Sequence, residues 1–107
     1  MIDWARLDTL RDDVGADGFD EIVALFLEEI EEGITRLRVG PDRAALDSEL
    51  HFLKGCALNL GFGAFSALCQ HGENQCANGQ AEQVDIAAIL ACYHASHRAF
   101  LNGPDPP

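Results

Sequence analysis

At 107 residues, 48% of them apolar, the chain can bury one modest core and is too apolar to stay disordered. Eighteen acids against seven lysines and arginines leave a net charge of −11. That argues against a nucleic-acid backbone as partner, since phosphate binding needs basic patches, and it disfavours anionic lipid.

Taken in order, residues 2–14 predict a short first helix, with Ile2, Leu7 and Leu10 as apolar contacts and Trp4 near its start. Asp3 can cap it and Gly15 stops it. Asp17 or Asp20 opens a longer helix to about Val39, whose inward stripe is Phe19, Val23, Phe26, Ile30, Ile34 and Leu37. Asp20, Glu21, Glu28, Glu29, Glu31 and Glu32 fit its solvated face. Gly40-Pro41 breaks the chain, and the next helix runs to Leu60, where Gly61 and Gly63 make a tight corner. A fourth helix covers about Ala64 to Cys76, turning Phe65, Leu68, Cys69 and Cys76 inward, and Asn78-Gly79 ends it. Residues 80–84 read as a polar loop. Asp85 can cap a last helix with a stripe of Ile86, Ile89, Leu90, Tyr93, His97 or Ala95, and Leu101. No stretch alternates as a strand would. The expected fold is all-α: an antiparallel up-down four-helix bundle with an additional short N-terminal helix. It forms a single domain over 1–103, followed by a flexible C-terminal tail over 104–107.

The chemistry lies on the helix that ends at Leu60. At about 100° per residue, Leu46, Leu50, Leu53, Ala57 and Leu60 share one face. Ala44, Asp47, Ser48, His51, Lys54, Gly55 and Leu58 share the other, so the imidazole of His51 is expected in water. Lys54 and Gly55, at i+3 and i+4, are its surface neighbours. A mid-helix glycine costs about 1 kcal/mol relative to alanine, and Gly55 leaves open the space a visitor to His51 would need. An imidazole with a pKa of about 6.5 keeps one nitrogen unprotonated and is a competent nucleophile. Lys54 supplies a flexible point charge that can reach phosphoryl oxygens. A solvated histidine beside a lysine is the plainer alternative. The glycine and the clean separation from the core favour the phosphoryl-accepting one.

His51-Phe52-Leu53-Lys54-Gly55, followed by Asn59-Leu60-Gly61, Phe65, Cys69 and Glu73, resembles the pattern of histidine-containing phosphotransfer (HPt) domains. Phe65 stands where that pattern has leucine, and Gly72 where it has an apolar residue. Leu10-Arg11 and Phe26-Leu27-Glu28-Glu29 look like the helices that precede the motif. The resemblance implies that His51 is the phosphorylated residue, with Lys54 and Gly55 as its supporting neighbours. It implies a stoichiometric phosphoryl carrier rather than an enzyme, taking the group from a receiver-domain phosphoaspartate and passing it to another receiver. The implied partners are receiver domains of response regulators or a hybrid histidine kinase. The carrier would have no cofactor of its own, with Mg²⁺ on the receiver. Leu58, Ser48 and Ala44 are candidates for the docking face, an ordinary exposed leucine being the equal alternative for Leu58.

Other chemistry is weaker. Cys56, Cys69, Cys76 and Cys92 form no C-x-x-C, and Cys69 and Cys76 lie about 10 Å apart along a helix, too far for a disulfide. Reduced, mostly buried thiols follow. His94 and His97 at i and i+3, with Cys92 nearby, are too few for a metal site, and no metal is expected. His71 and His94 read as surface residues, His97 as partly packed. Ser48 and Ser66 sit in no nucleophile elbow, and no phosphate-cradling loop or kinase signature occurs. The run Gly55 to Gly72 is broken by Asn59, Gln70 and His71, so no membrane span is expected. The opening Met1-Ile2-Asp3-Trp4-Ala5-Arg6 has no hydrophobic signal core, which predicts a cytoplasmic protein, and a self-contained bundle predicts a monomer. A different class of function is a non-catalytic helical adaptor that docks on a receiver or kinase without obligatory transfer.

Overall fold

The computed structural model describes residues 2–40 and 42–103. The tail expected at 104–107, and Pro41 at the start of the third helix, lie outside those residues. The described chain is helical: α1 (Trp4–Val39), α2 (Leu46–Asn59), α3 (Gly63–Ala77) and α4 (Ile86–Asn102), with single 3₁₀ turns at Arg43–Ala45 and Ala81–Gln83.

Asp3 caps α1 by accepting from the amide of Arg6. A straight helix of 36 residues would be about 54 Å long, yet the longest dimension of the molecule is 42 Å. The bend is at Gly15, whose φ of 80° and ψ of 163° leave the helical region. Gly15 therefore stops the first helical stretch, as its composition predicts. The second resumes directly after it, without the short loop expected before Asp17 or Asp20.

Asp42, accepting from the amide of Ala44, caps the turn that leads into α2. All five leucines and alanines of the expected α2 stripe, Leu46, Leu50, Leu53, Ala57 and Leu60, are fully buried. Two of them meet glycines. Leu53 fills the space where Gly33 of α1 would carry a Cβ, and Leu50 does the same at Gly72 of α3. The apolar side chain missing at Gly72 is thus supplied by Leu50 across the helix interface. These close approaches hold α2 between α1 and α3, and α4 packs on both α1 and α3.

The N-terminal stretch is pinned to the corner after α2. The amide of Asp3 donates to the carbonyl of Gly61 at 2.7 Å, and Ile2 pairs with Phe62 in an isolated β-bridge. Gly61 has φ +72°, and a Cβ there would stand 2.5 Å from the carbonyl oxygen of Asp3. Phe62 is fully buried in an aromatic cluster with Tyr93 and Phe100, Phe65 joining through Tyr93 and Trp4 stacking on Phe100.

In α4, capped by Asp85, the inward line is Ile89, Tyr93, Ser96 and Phe100. Leu101, placed on that stripe by sequence, is 70% exposed, because it lies 100° beyond Phe100 on the helix. Val84, in the stretch expected as a polar loop, is buried, and Arg43 donates to the carbonyls of Ala81 and Val84. No helix among the described residues is long and apolar enough to cross a membrane.

Candidate functional site

α2 projects His51 into solvent with its side chain 73% exposed, on the face opposite the buried leucines. Its Nδ1 lies 2.8 Å from Oε1 of Glu73 on α3. An ionised carboxylate only accepts hydrogen bonds, so Nδ1 is the protonated nitrogen and the neutral ring presents Nε2 with its lone pair free. Glu73 therefore sets both the tautomer and the ring orientation, as a carboxylate does for histidines that act as ligands or bases.

The same carboxylate serves Lys54. Its ammonium stands 2.8 Å from the enclosed Oε2 of Glu73 and makes an ion pair with it. Lys54 also donates to Oε1 of Gln70, at 2.8 Å. Gln70 in turn donates from Nε2 to Asn74 one helical turn on, at 2.9 Å. Lys54 and Glu73 are each less than a fifth exposed, so this pair is better shielded from water than His51 is. His51, Lys54, Gln70, Glu73 and Asn74, with Asp47 and Ser48, line one open polar groove between α2 and α3.

Gly55 is exposed, and an added Cβ would meet nothing within 4 Å. Its carbonyl accepts from Asn59, which in turn accepts from Arg6 of the N-terminal stretch. Ser48 and Leu58 are exposed on the His51 face, Leu58 at 53%. Ala44 is exposed but falls in the 3₁₀ turn, so the 100° spacing of α2 does not set its direction. Phe52, 40% exposed, lies about 100° round the helix from His51, at the edge of this face.

Neither Glu73 nor Gln70 has a role that spacing along one helix predicts. Glu73 carried a signal as the last residue of the motif, 22 positions after His51. Only the packing of α3 on α2 converts that separation into contact. The remaining histidines do not join the site. His71 is exposed, His94 meets Arg38 at 3.3 Å, and His97 stacks on Tyr93 at 5.6 Å with Glu31 at 3.9 Å. All four cysteines are free thiols, and burial pushes Cys69 up to about 12.

With this geometry in hand, comparison with known families gives one match. The family model for the Hpt domain matches residues 21–99, well over half of the chain, and the chain belongs to that family. No curated protein and no solved structure matches it at a significant level. Hpt domains are phosphotransfer carriers of phosphorelays, interact with receiver domains and are not independent enzymes in general. The matched residues include α2, α3 and the whole groove around His51. They exclude the stretch before residue 21 that carries Asp3 and Arg6.

Proposed function

We propose that His51 is the phosphoryl acceptor of a relay, taking the group from a receiver-domain phosphoaspartate and passing it to a second receiver. The observation that carries this reading is the pairing of a solvent-facing Nε2 with an Nδ1 anchored by Glu73. In the forward step Nε2 attacks phosphorus in line. The N–P bond forms as the bond to the aspartyl oxygen breaks, and the aspartate carboxylate leaves with the electron pair. The ring gains positive charge while Nδ1 keeps its proton, and the carboxylate of Glu73 offsets that charge at 2.8 Å. Lys54 approaches the transferred oxygens from the groove wall. The reverse sequence returns the group to another receiver.

Gly55 is the approach for the partner's loop, since reacting atoms must come within about 3 to 3.5 Å. Ser48, Leu58 and Phe52 supply docking surface around it, with Ala44 at its edge. In this reading residues 1–103 act as a single monomeric domain in the cytoplasm. The helices run as an antiparallel up-down bundle, its first helical stretch counting as an additional N-terminal helix. Mg²⁺ belongs to the receiver. Incubation with a phosphorylated receiver tests the reading. Acid-labile, base-stable label that disappears in His51→Gln and survives substitution of His71, His94 and His97 is the expected result. A tight complex with no label would establish the adaptor instead.

A further inference from the structure

We propose that Gln70 is a positioning residue for phosphoryl transfer, acting through Lys54; this rests on the carrier reading of His51. Lys54 is under two opposed demands. An ammonium drawn wholly onto the carboxylate of Glu73 would have its charge neutralised and would offer little to an incoming phosphoryl group. It touches both groups at the same distance, Oε2 of Glu73 as an ion pair at 2.8 Å and Oε1 of Gln70 as a hydrogen bond at 2.8 Å. The neutral amide therefore shares the ammonium with the carboxylate, so that Glu73 does not hold it alone.

The amide is itself fixed. A glutamine can present either end to a lysine, and only the oxygen end accepts. Asn74 Oδ1 takes the Nε2 donor of Gln70 at 2.9 Å, which leaves Oε1 turned to Lys54. Asn74, Gln70 and Lys54 thus form a chain along the wall of the groove that His51 overlooks. An ammonium has three donors, and among the described residues Gln70 and Glu73 are its only polar partners. The remaining N–H is free for a phosphoryl oxygen arriving on Nε2. Gln70 is exposed and carries no core packing, so its place opposite Lys54 is not a requirement of the fold.

The test is a double-mutant cycle on the full chain with phosphoramidate as phosphoryl donor. The P–N bond of the donor breaks, ammonia leaves, and the bond from Nε2 to phosphorus forms. Labelling of His51 is followed by phosphorus NMR in the wild-type chain, Gln70→Leu, Lys54→Met and the pair. Lys54→Met is expected to slow labelling about tenfold and Gln70→Leu about threefold to fivefold, as for loss of an oriented charged donor. The pair should be no slower than Lys54→Met, because Gln70 has nothing left to position. Asn74→Leu frees the amide to rotate and should give a smaller loss that also vanishes in the Lys54→Met background. It serves as the deciding variant if Gln70→Leu melts lower than the wild-type chain. Equal rates in wild type and Gln70→Leu, or an undiminished loss in the Lys54→Met background, would overturn the role of Gln70. A wild-type chain that takes no label on His51 would overturn the carrier reading itself, which is a separate outcome.

Discussion

At the scale of the residue, the site is a problem in shared acceptors. The two oxygens of Glu73 serve a ring that must keep its Nε2 lone pair and a lysine that must keep usable charge. Glu73→Ala removes both contacts and should slow labelling of His51 by about one to two orders of magnitude, as when a group that orients a reactive histidine is lost. Glu73→Gln keeps an acceptor for Nδ1 and should lose less. Single-turnover rates for the two variants decide this, and equal losses would show that charge, not the hydrogen bond, is what matters. Gly55 has open space where its Cβ would be, so Gly55→Ala should raise stability by a few tenths to about 1 kcal/mol. Gly55→Gln should also fold, yet its side chain would enter the space beside His51, and a displacement of about 1 Å can slow transfer about a hundredfold. A melting curve beside a transfer assay separates these effects. A glutamine variant that transfers at the wild-type rate would show that access is not the reason for glycine.

At the scale of the element, the same substitution changes sign with position. Cβ atoms added at Gly33 and Gly72 would stand 2.5 Å and 2.6 Å from the side chains of Leu53 and Leu50. Both leucines are fully buried and have little room to move. Overpacking costs typically about 1 to 3 kcal/mol, more than the roughly 1 kcal/mol that alanine gains over glycine in a helix. Gly33→Ala and Gly72→Ala are therefore expected to destabilise by about 1 to 2 kcal/mol, read as a lower melting temperature. Because Gly72 neighbours Glu73, its alanine variant should also disturb the approach of α3 to His51 and slow transfer. Gly33 lies on the α1 side and should leave transfer nearly unchanged. A stabilised Gly33→Ala would mean that the α1–α2 interface is looser than these distances imply.

At the scale of the whole molecule, two buried groups, Cys69 and Tyr93, tie stability to pH. Burial raises the Cys69 thiol from its ordinary 9.0 to about 12. Tyr93 is raised too, by burial first and then by the carboxylate of Glu31 on its hydroxyl. In both cases the neutral form is the one the fold favours. Their contribution is complete below the unfolded values and declines as pH rises, for Cys69 between about 9 and about 12. Thermal stability should therefore fall steadily over that interval. Cys69→Ala should be less stable at neutral pH, since a packed side chain is lost, yet show a shallower decline in alkali. An unchanged slope would remove Cys69 as a cause.

The sequence by itself determined the local matters. Period 3.6 sorted α2 into a buried stripe and a face carrying His51, Lys54 and Gly55, because on one helix spacing alone fixes direction. The chemistry of caps and stops at Asp3, Gly15 and Asp85 was legible for the same reason. What lay between helices was not. That Glu73 and Gln70 reach across to His51 and Lys54 depends on how closely α3 approaches α2, which a leucine packed against a glycine allows. The burial of Phe62 and Val84 had the same origin, since both sit in connections whose direction is decided by what they pack against. Leu101 shows the complementary error: one residue past Phe100 turns an apolar side chain out, because the stripe of α4 is set by its partners and not by composition.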